Sequence, residues 1–498
     1  MTDTHDFRIS TDPAPPEWAH RAVFYEIFLD RFAKGQPATV SADPLPAWAI
    51  PTNWDEPVAH DTPNGVRQLY GGDLPGIEQH LGYLADLGIT TLYLTPFFPA
   101  GSNHRYDAAS FDVVDPLLGG DEALESLVDA AHRTLITVIG DLTLNHTGAT
   151  HTWFRTAVAD ASSTEAGFYL FSHHPERYEC FSGVRAMPKL DHRDEELQRR
   201  LFDGRGSVVH RYLASVGLDG WRIDVAQSAG YAGPSNRTLH TAAQTVATAR
   251  AARPGAYVLA EHQFDATAAL AGNAWHGTMA YAAFTRPVWS WLAESDIDHH
   301  WGVPGGHRPY TGSDMAQVMD DFNGLIPWRS RIHSVNLLDS HDTPRLLSII
   351  GRDRYLVALG LLMTMPGIPM IFAGDEIGTN GVDLEDGRQP FRWDPRTWDH
   401  DLRQRHQQLI RLRRTLRALS DGGFRWLHTS DDVVVFERAT ADQVVIVQAS
   451  RRAHAPVPCP MAATGLLGSE DLAAGTEFPA DGPFLRLWTT TRATVEGD

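Results

Sequence analysis

Asp224, Glu261 and Asp342 each stand at or just past the end of an apolar run. Carboxyl groups gathered from such ends can break a glycosidic bond. They belong to four segments in chain order: DLTLNH (Asp141–His146), GWRIDVA (Gly220–Ala226), VLAEH (Val258–His262) and NLLDSHD (Asn336–Asp342). Cleavage with retention needs two carboxyl groups about 5–5.5 Å apart. One must be ionised to attack the anomeric carbon, the other protonated to serve the leaving oxygen. Crowded carboxylates resist joint ionisation, which raises at least one pKa; a nearby Arg does the opposite. Arg222 lies two residues before Asp224, so on a strand both point to one face. That makes Asp224 the better nucleophile. Glu261, on another strand with no cation two residues back, is the better acid/base. His146, His341 and Asp342 offer hydrogen bonds to sugar hydroxyls. Asp141 and Arg222 read equally well as a buried structural ion pair at strand ends. Taken together, several charges at one face are costly unless used, and the set points to catalysis.

Something must bring these ends together, and the chain alternates strand and helix in a way that does so. Apolar runs predict strands at Val23–Phe28, Thr91–Pro96, Leu135–Leu144, GWRID, YVLAE, near Gly277–Tyr281, at HSVNLL and at Ile368–Gly374. Helical spacing falls between them, as at Ile77, Leu81, Leu84 and Leu87 before the stop signal Gly88, and at Leu124, Leu127, Val128 and Ala131 after Asp121. Further helices are expected over 208–216, 237–250, 352–365 and 401–416. Eight units of one sense imply an α/β fold, a (β/α)8 TIM barrel, whose strand ends converge on one face. From His146 to about Arg200 the rhythm breaks, predicting a small excursion domain after strand three. After about Ser420 the period becomes two, in Val433–Arg438 and Gln443–Gln448, predicting a C-terminal antiparallel β-sandwich domain. The expected divisions are a loose arm (1–16), the barrel (17–145 and 201–419), the excursion (146–200) and the β domain (420–498).

The composition is globular: 498 residues, 43% hydrophobic, with 62 acids against 42 bases for a net charge of −20. That balance disfavours nucleic acid and anionic membranes as partners. Cys180 and Cys459 are too far apart to suggest a disulfide framework or a thiolate metal site. The N-terminus lacks a basic and an apolar leader region, and no apolar run approaches 18 residues, so a soluble cytoplasmic protein is expected. A Pro-rich stretch (Pro37, Pro44, Pro46, Pro51, Pro57, Pro63) carries Trp48 and Trp54. It reads either as a flap over a cleft or as a surface insertion with its own small core.

The four segments resemble, in order, the four motifs of the α-amylase family of glycoside hydrolases, and the similarity runs from about Val23 onward. The resemblance implies that Asp224 is the nucleophile and Glu261 the acid/base. It implies that Asp342 holds the 2- and 3-hydroxyls at the cleaved sugar. His146, Arg222 and His341 map onto supporting subsite residues, and Asp141 onto the residue that orients them. NHRYD (Asn103–Asp107) places Tyr106 where the family stacks a Tyr on the sugar. MPKLD (Met187–Asp191) and YEIFLDRFAKG (Tyr25–Gly35) are similar to segments of the cyclomaltodextrinase, neopullulanase and maltogenic amylase group. Val225 fits members that accept α-1,6 as well as α-1,4 linkages.

There are departures. The group's extra N-terminal β domain, on which its dimers depend, is not expected, which leaves monomer or homodimer open. A branch that hydrolyses cyclic maltosyl-maltose shares that feature. Gln227 and Ser228 replace the group's usual pair, and His262-Gln263-Phe264 replaces its usual aromatic; both lie on the leaving-group side. Ala33–Val40 lacks the oxygen ligands of a calcium loop, and GGD (Gly71–Asp73) alone remains, so no metal and no cofactor is expected. The expected activity is retaining hydrolysis of short or cyclic maltodextrins, small-molecule α-glucans. The alternatives are a transglycosylase or disaccharide isomerase on the same fold, or an inactive sugar-binding barrel.

Overall fold

The computed structural model describes residues 13–36, 45–293 and 308–491. Most of the expected arm, Pro37 and Pro44 of the Pro-rich stretch, residues 37–40 of the Ala33–Val40 loop and the tail from 492 lie outside the described residues.

Eight short runs are buried on both faces, so they read as continuous apolar sequence and pair in parallel. They are β1 (Phe24–Ile27), β2 (Thr91–Leu94), β3 (Thr137–Thr143), β4 (Gly220–Asp224), β5 (Tyr257–Ala260), β6 (Gly277–Thr278), β7 (Val335–Leu337) and β8 (Ile368–Phe372). The ladder runs β6-β5-β4-β3-β2-β1-β8-β7. A parallel bridge between Met279 and Val335 closes it into a barrel. The alternation of side chains makes two cores. Phe24, Tyr93, Ile139, Tyr257, Leu259, Val335, Leu337 and Met370 fill the lumen. Tyr25, Leu92, Val138, Trp221, Ile223 and Val258 face the surrounding helices. The lumen is therefore a packed floor, and only the strand ends above it are free for polar groups.

The expected helices appear at Leu81–Leu87, ended by Gly88 at φ 99°, and at Gly120–Arg133, Thr238–Ala252, Arg352–Thr364 and His400–Thr415. Two expectations need correction. The helix predicted over 208–216 is α-helical only at Val208–Arg211, and Tyr212–Val216 forms a π-helical turn. The sixth strand stops at Thr278, because Tyr281–Thr285 turns into a π-helical segment feeding Arg286–Leu292.

Between β3 and β4 the chain leaves the barrel for a helix (Thr152–Ala159) and a small hairpin (Phe171–His173 with Arg177–Tyr178). It returns beside the end of β3, where His146 and Lys189 form a bridge. Past residue 420 a five-stranded antiparallel sheet forms from β9 (Gly423–Thr429), β10 (Val433–Ala439), β11 (Gln443–Ser450), β13 (Thr464–Leu466) and β15 (Phe484–Thr491). A two-stranded ladder of β12 (Val457–Pro458) and β14 (Glu477–Phe478) covers its outer face, over Val433, Val435, Ile446 and Trp488. Its inner face packs on Arg352–Thr364, where Gly360 lets Leu485 approach closely. Among the described residues, no helix is long and apolar enough to cross a membrane.

Candidate active site

The register of three neighbouring strands builds the centre of the site. Asp141 on β3 and Leu259 on β5 are both Cα partners of Arg222 on β4. Arg222 and Asp224 share the inward face while Trp221 and Ile223 point to the helices, as a period of two requires. Arg222 is fully buried and serves three carboxylates. Nη1 lies 3.1 and 3.0 Å from the two Asp141 oxygens and 3.0 Å from Asp224 Oδ1. Nη2 lies 2.9 Å from Glu261 Oε2. This corrects the expectation that Glu261, with no cation two residues back, lies apart from a cation. Spacing along one strand misses a contact made across the ladder.

Burial first, and then the charge of Glu261, push the Asp224 carboxyl well above its ordinary value, with Arg222 opposing. Burial and crowding therefore work against the ionised Asp224 that Arg222 favours. Glu261 Oε2 also accepts the Val225 N–H at 2.7 Å, and Oε1 accepts from Gln263 Nε2 at 3.2 Å. Val225 has φ 43°, an unusual angle for a β-branched residue.

Asp342 lies beyond β7, with Oδ1 3.2 Å from His341 Nε2 and 3.4 Å from Arg388 Nη2. Burial works against its charge, but His341 and Arg388 outweigh it and hold the carboxyl below the ordinary range. His341 is buried too, which disfavours its charge, yet Asp342 and Glu26 raise it above its ordinary value. Glu26 on β1 bonds His341 Nδ1. The Tyr106 hydroxyl joins this group to the Arg222 cluster. It donates to Asp141 Oδ2 at 2.8 Å and meets His341 Nε2 at 2.6 Å, with the two rings stacked at 5.3 Å. Tyr93 donates to the same Asp141 oxygen at 2.6 Å. Asp141 thus accepts from Arg222 and two phenols, as an orienting carboxylate does.

Above this layer opens a cavity of about 530 Å³, lined by Asp224, Glu261, Asp342, Tyr106 and His146 among others. Burial lowers His146 to about 3, so its ring is neutral, and Nε2 has no protein partner. The ring stacks on Phe181 of the excursion, centroids 5.1 Å apart. Every expected site residue therefore gathers at one barrel mouth: Asp224, Glu261, Asp342, Tyr106 and His146 line the cavity, and Asp141, Arg222 and His341 support them from beneath.

Sequence reasoning missed Glu26, Tyr93, His104, Phe181 and Arg388. A Glu inside the buried strand FYEI was a usable signal for Glu26. His104 lies within NHRYD. Its Nδ1 accepts from the Tyr106 N–H at 3.1 Å, and burial lowers it to about 3, which leaves a neutral ring at the cavity wall. Phe181 and Arg388 are in loops without periodicity and gave none. Met187 of MPKLD lines the cavity, and Lys189 reaches Asn145 Oδ1 and the Ser228 carbonyl, the latter at 3.1 Å. Neither Trp48 nor Trp54 lines the cavity; Val66, just past the stretch, does. Trp54 instead donates to the Phe391 carbonyl at 2.9 Å, which ties the stretch to the loop after β8.

The oxygens near GGD do not suit calcium, which wants six to eight oxygen ligands. Asp30 accepts from Gly71 N, Tyr70 N and Arg31 Nε, and Asp73 Oδ1 accepts from Gly35 N and Gly76 N.

Residues 26–418 match the α-amylase catalytic domain family. A cyclomaltodextrinase of Geobacillus thermopakistaniensis is 33% identical over 479 residues, 93% of this chain and 75% of that protein. Neopullulanase 2 of Thermoactinomyces vulgaris is 33% identical over 451 residues, 88% and 70% of the two chains. The ligand-free cyclic α-maltosyl-(1→6)-maltose hydrolase of Arthrobacter globiformis superposes with a TM-score of 0.78 at 25% identity, covering 96% of this chain and all of that one. With the barrel, its mouth of carboxylates and these matches together, the chain belongs to the α-amylase family and is a glycoside hydrolase acting on carbohydrate.

Proposed function

We propose that the protein is a retaining α-glucan hydrolase that cleaves α-1,4 and α-1,6 bonds of short or cyclic maltodextrins. The observation that carries this reading is Arg222 holding Asp224 on one terminal nitrogen and Glu261 on the other, under a cavity that also contains Asp342. A shared guanidinium favours the close spacing, about 5–5.5 Å, of a double displacement over the wider gap that admits water between the acids. An Asp224 oxygen attacks the anomeric carbon as the glycosidic C–O bond breaks, and Glu261 gives its proton to the departing oxygen. Water then attacks the same carbon and returns a proton to Glu261, and the ester to Asp224 breaks. Asp342, held ionised by His341 and Arg388, accepts from sugar hydroxyls, while the neutral His146 and His104 donate to them. The short and cyclic substrates follow the names of the relatives, and the α-1,6 activity follows Val225.

The test is product analysis on linear maltooligosaccharides, cyclodextrins, panose and cyclic maltosyl-maltose, run side by side with Asp224→Asn and Glu261→Gln. Hydrolysis products are expected from the native enzyme. Glu261→Gln should lose about 10²–10⁴-fold in rate. Longer or rearranged sugars as the main products would replace the reading with transfer. Near-normal turnover by either variant would sink the assignment of roles.

A further inference from the structure

We infer that Gln263 is a positioning residue for the proton of Glu261, an inference that rests on the acid/base reading of Glu261 above. The two Glu261 oxygens have different surroundings. Oε2 accepts the Val225 N–H at 2.7 Å and lies 2.9 Å from Arg222 Nη2, an ion-pair contact rather than an aligned hydrogen bond. Neither can turn away. The peptide is fixed by the φ of 43° at Val225, a cost borne only where the surroundings impose it. The guanidinium is anchored by Asp141. A proton on Oε2 would collide with the Val225 N–H and face the guanidinium charge, so the transferable proton belongs on Oε1.

Oε1 has a different neighbour, the Gln263 amide at 3.2 Å. An amide carries both a donor and an acceptor. Its N–H donates to Oε1 while the carboxylate is ionised. A rotation about its last bond offers the carbonyl to the O–H once Oε1 is protonated. Gln263 thus holds Oε1 in both states that a double displacement visits and aims the proton across the cavity wall that Gln263 itself lines. It is half-buried on the loop after β5, so the amide has room to turn. Gln227 lines the same cavity, with a buried Oε1 that lacks a protein hydrogen bond and is free for a leaving-group hydroxyl.

The test separates proton delivery from folding and from binding of the maltosyl part, which both substrates share. Phenyl and 2,4-dinitrophenyl α-maltosides, alike in shape, separate it from leaving-group binding, with equal losses on both overturning the role. Maltotriose has a sugar leaving group that needs a proton; α-maltosyl fluoride releases fluoride without one. In Gln263→Met and Gln263→Ala, kcat/KM on maltotriose should fall by about tenfold or more, within the range of general acid catalysis. On the fluoride it should stay near the native value. The ratio of the two is internal to each variant and independent of how much of the protein is folded. Equal losses on both substrates, or no loss on maltotriose, would overturn the role of Gln263. Glu261→Gln on the same pair is the control. Retained maltotriose turnover there would overturn the acid/base reading and this inference with it. Loss on maltotriose with activity kept on the fluoride leaves the Gln263 variants to decide alone.

Discussion

At the scale of single residues, the site works by giving each charge an opposite neighbour and leaving the Asp224–Glu261 pair short of one. His341 is the supporting residue whose charge is most exposed to test. Buried but faced by Asp342 and Glu26, it has a folded pKa above its ordinary value of about 6.5. Its contribution to stability is therefore fully present below about pH 6.5 and is lost as pH rises through the folded value. Glu26→Gln should destabilise the protein by about 2 kcal/mol near pH 6. The gap between variant and native urea midpoints should narrow as pH rises past the folded value. A gap of equal size at pH 6 and pH 9 would mean that His341 is neutral in the fold. Lys189 has the opposite sign. Burial lowers it to about 8, so the unfolded chain binds more protons between about pH 8 and 10.5, and this contribution to stability rises with pH there. Lys189→Met should flatten that rise in unfolding midpoints measured across the same window. It should also weaken the tie from Asn145 to Ser228.

At the scale of elements, close approach of β4 to β5 sets where Arg222 and Asp224 end. A Cβ at Gly220 would sit 2.1 Å from the Tyr257 carbonyl oxygen, backbone that cannot step aside. Gly220→Ala should cost at the upper end of about 1–3 kcal/mol, read as a lowered Tm. It should also reduce kcat, because the clash lies two residues from Arg222 and four from Asp224. A variant with native Tm and native kcat would show that the ladder is looser than its register. The strands themselves were legible because a strand buried on both faces is a plain apolar run, as in Gly220–Asp224. Several strands were expected a residue or more too long, and β6 ran past its end, since Met279–Tyr281 is as apolar as a strand and nothing local marks the start of the π-helical turn. The hairpin between β3 and β4 was not legible. It is short, partly exposed and held by neighbours rather than by its own pattern.

At the scale of the whole molecule, the barrel and the C-terminal sheet share an interface. Arg438 on β10 is buried and donates to the carbonyls of Thr364, Gly422 and Gly423 at 2.7, 2.9 and 3.1 Å. Arg438→Met leaves those acceptors unpaired and should cost about 3 kcal/mol. A calorimetric scan should show one transition for both parts, shifted down in the variant. Two separated transitions would mean that the parts fold independently. The sequence by itself determined the barrel, the sheet after it and the strand ends at which the carboxylates stand. Burial writes a period into the chain, and Asp224, Glu261 and Asp342 each follow an apolar run. Only the tertiary structure decided how those residues are wired. Arg222 reaching Glu261, Glu26 beneath His341, Phe181 against His146 and Gln263 on Oε1 of Glu261 are contacts between strands and loops distant in sequence. Their partners are chosen by the closure of the barrel, and no local period encodes them.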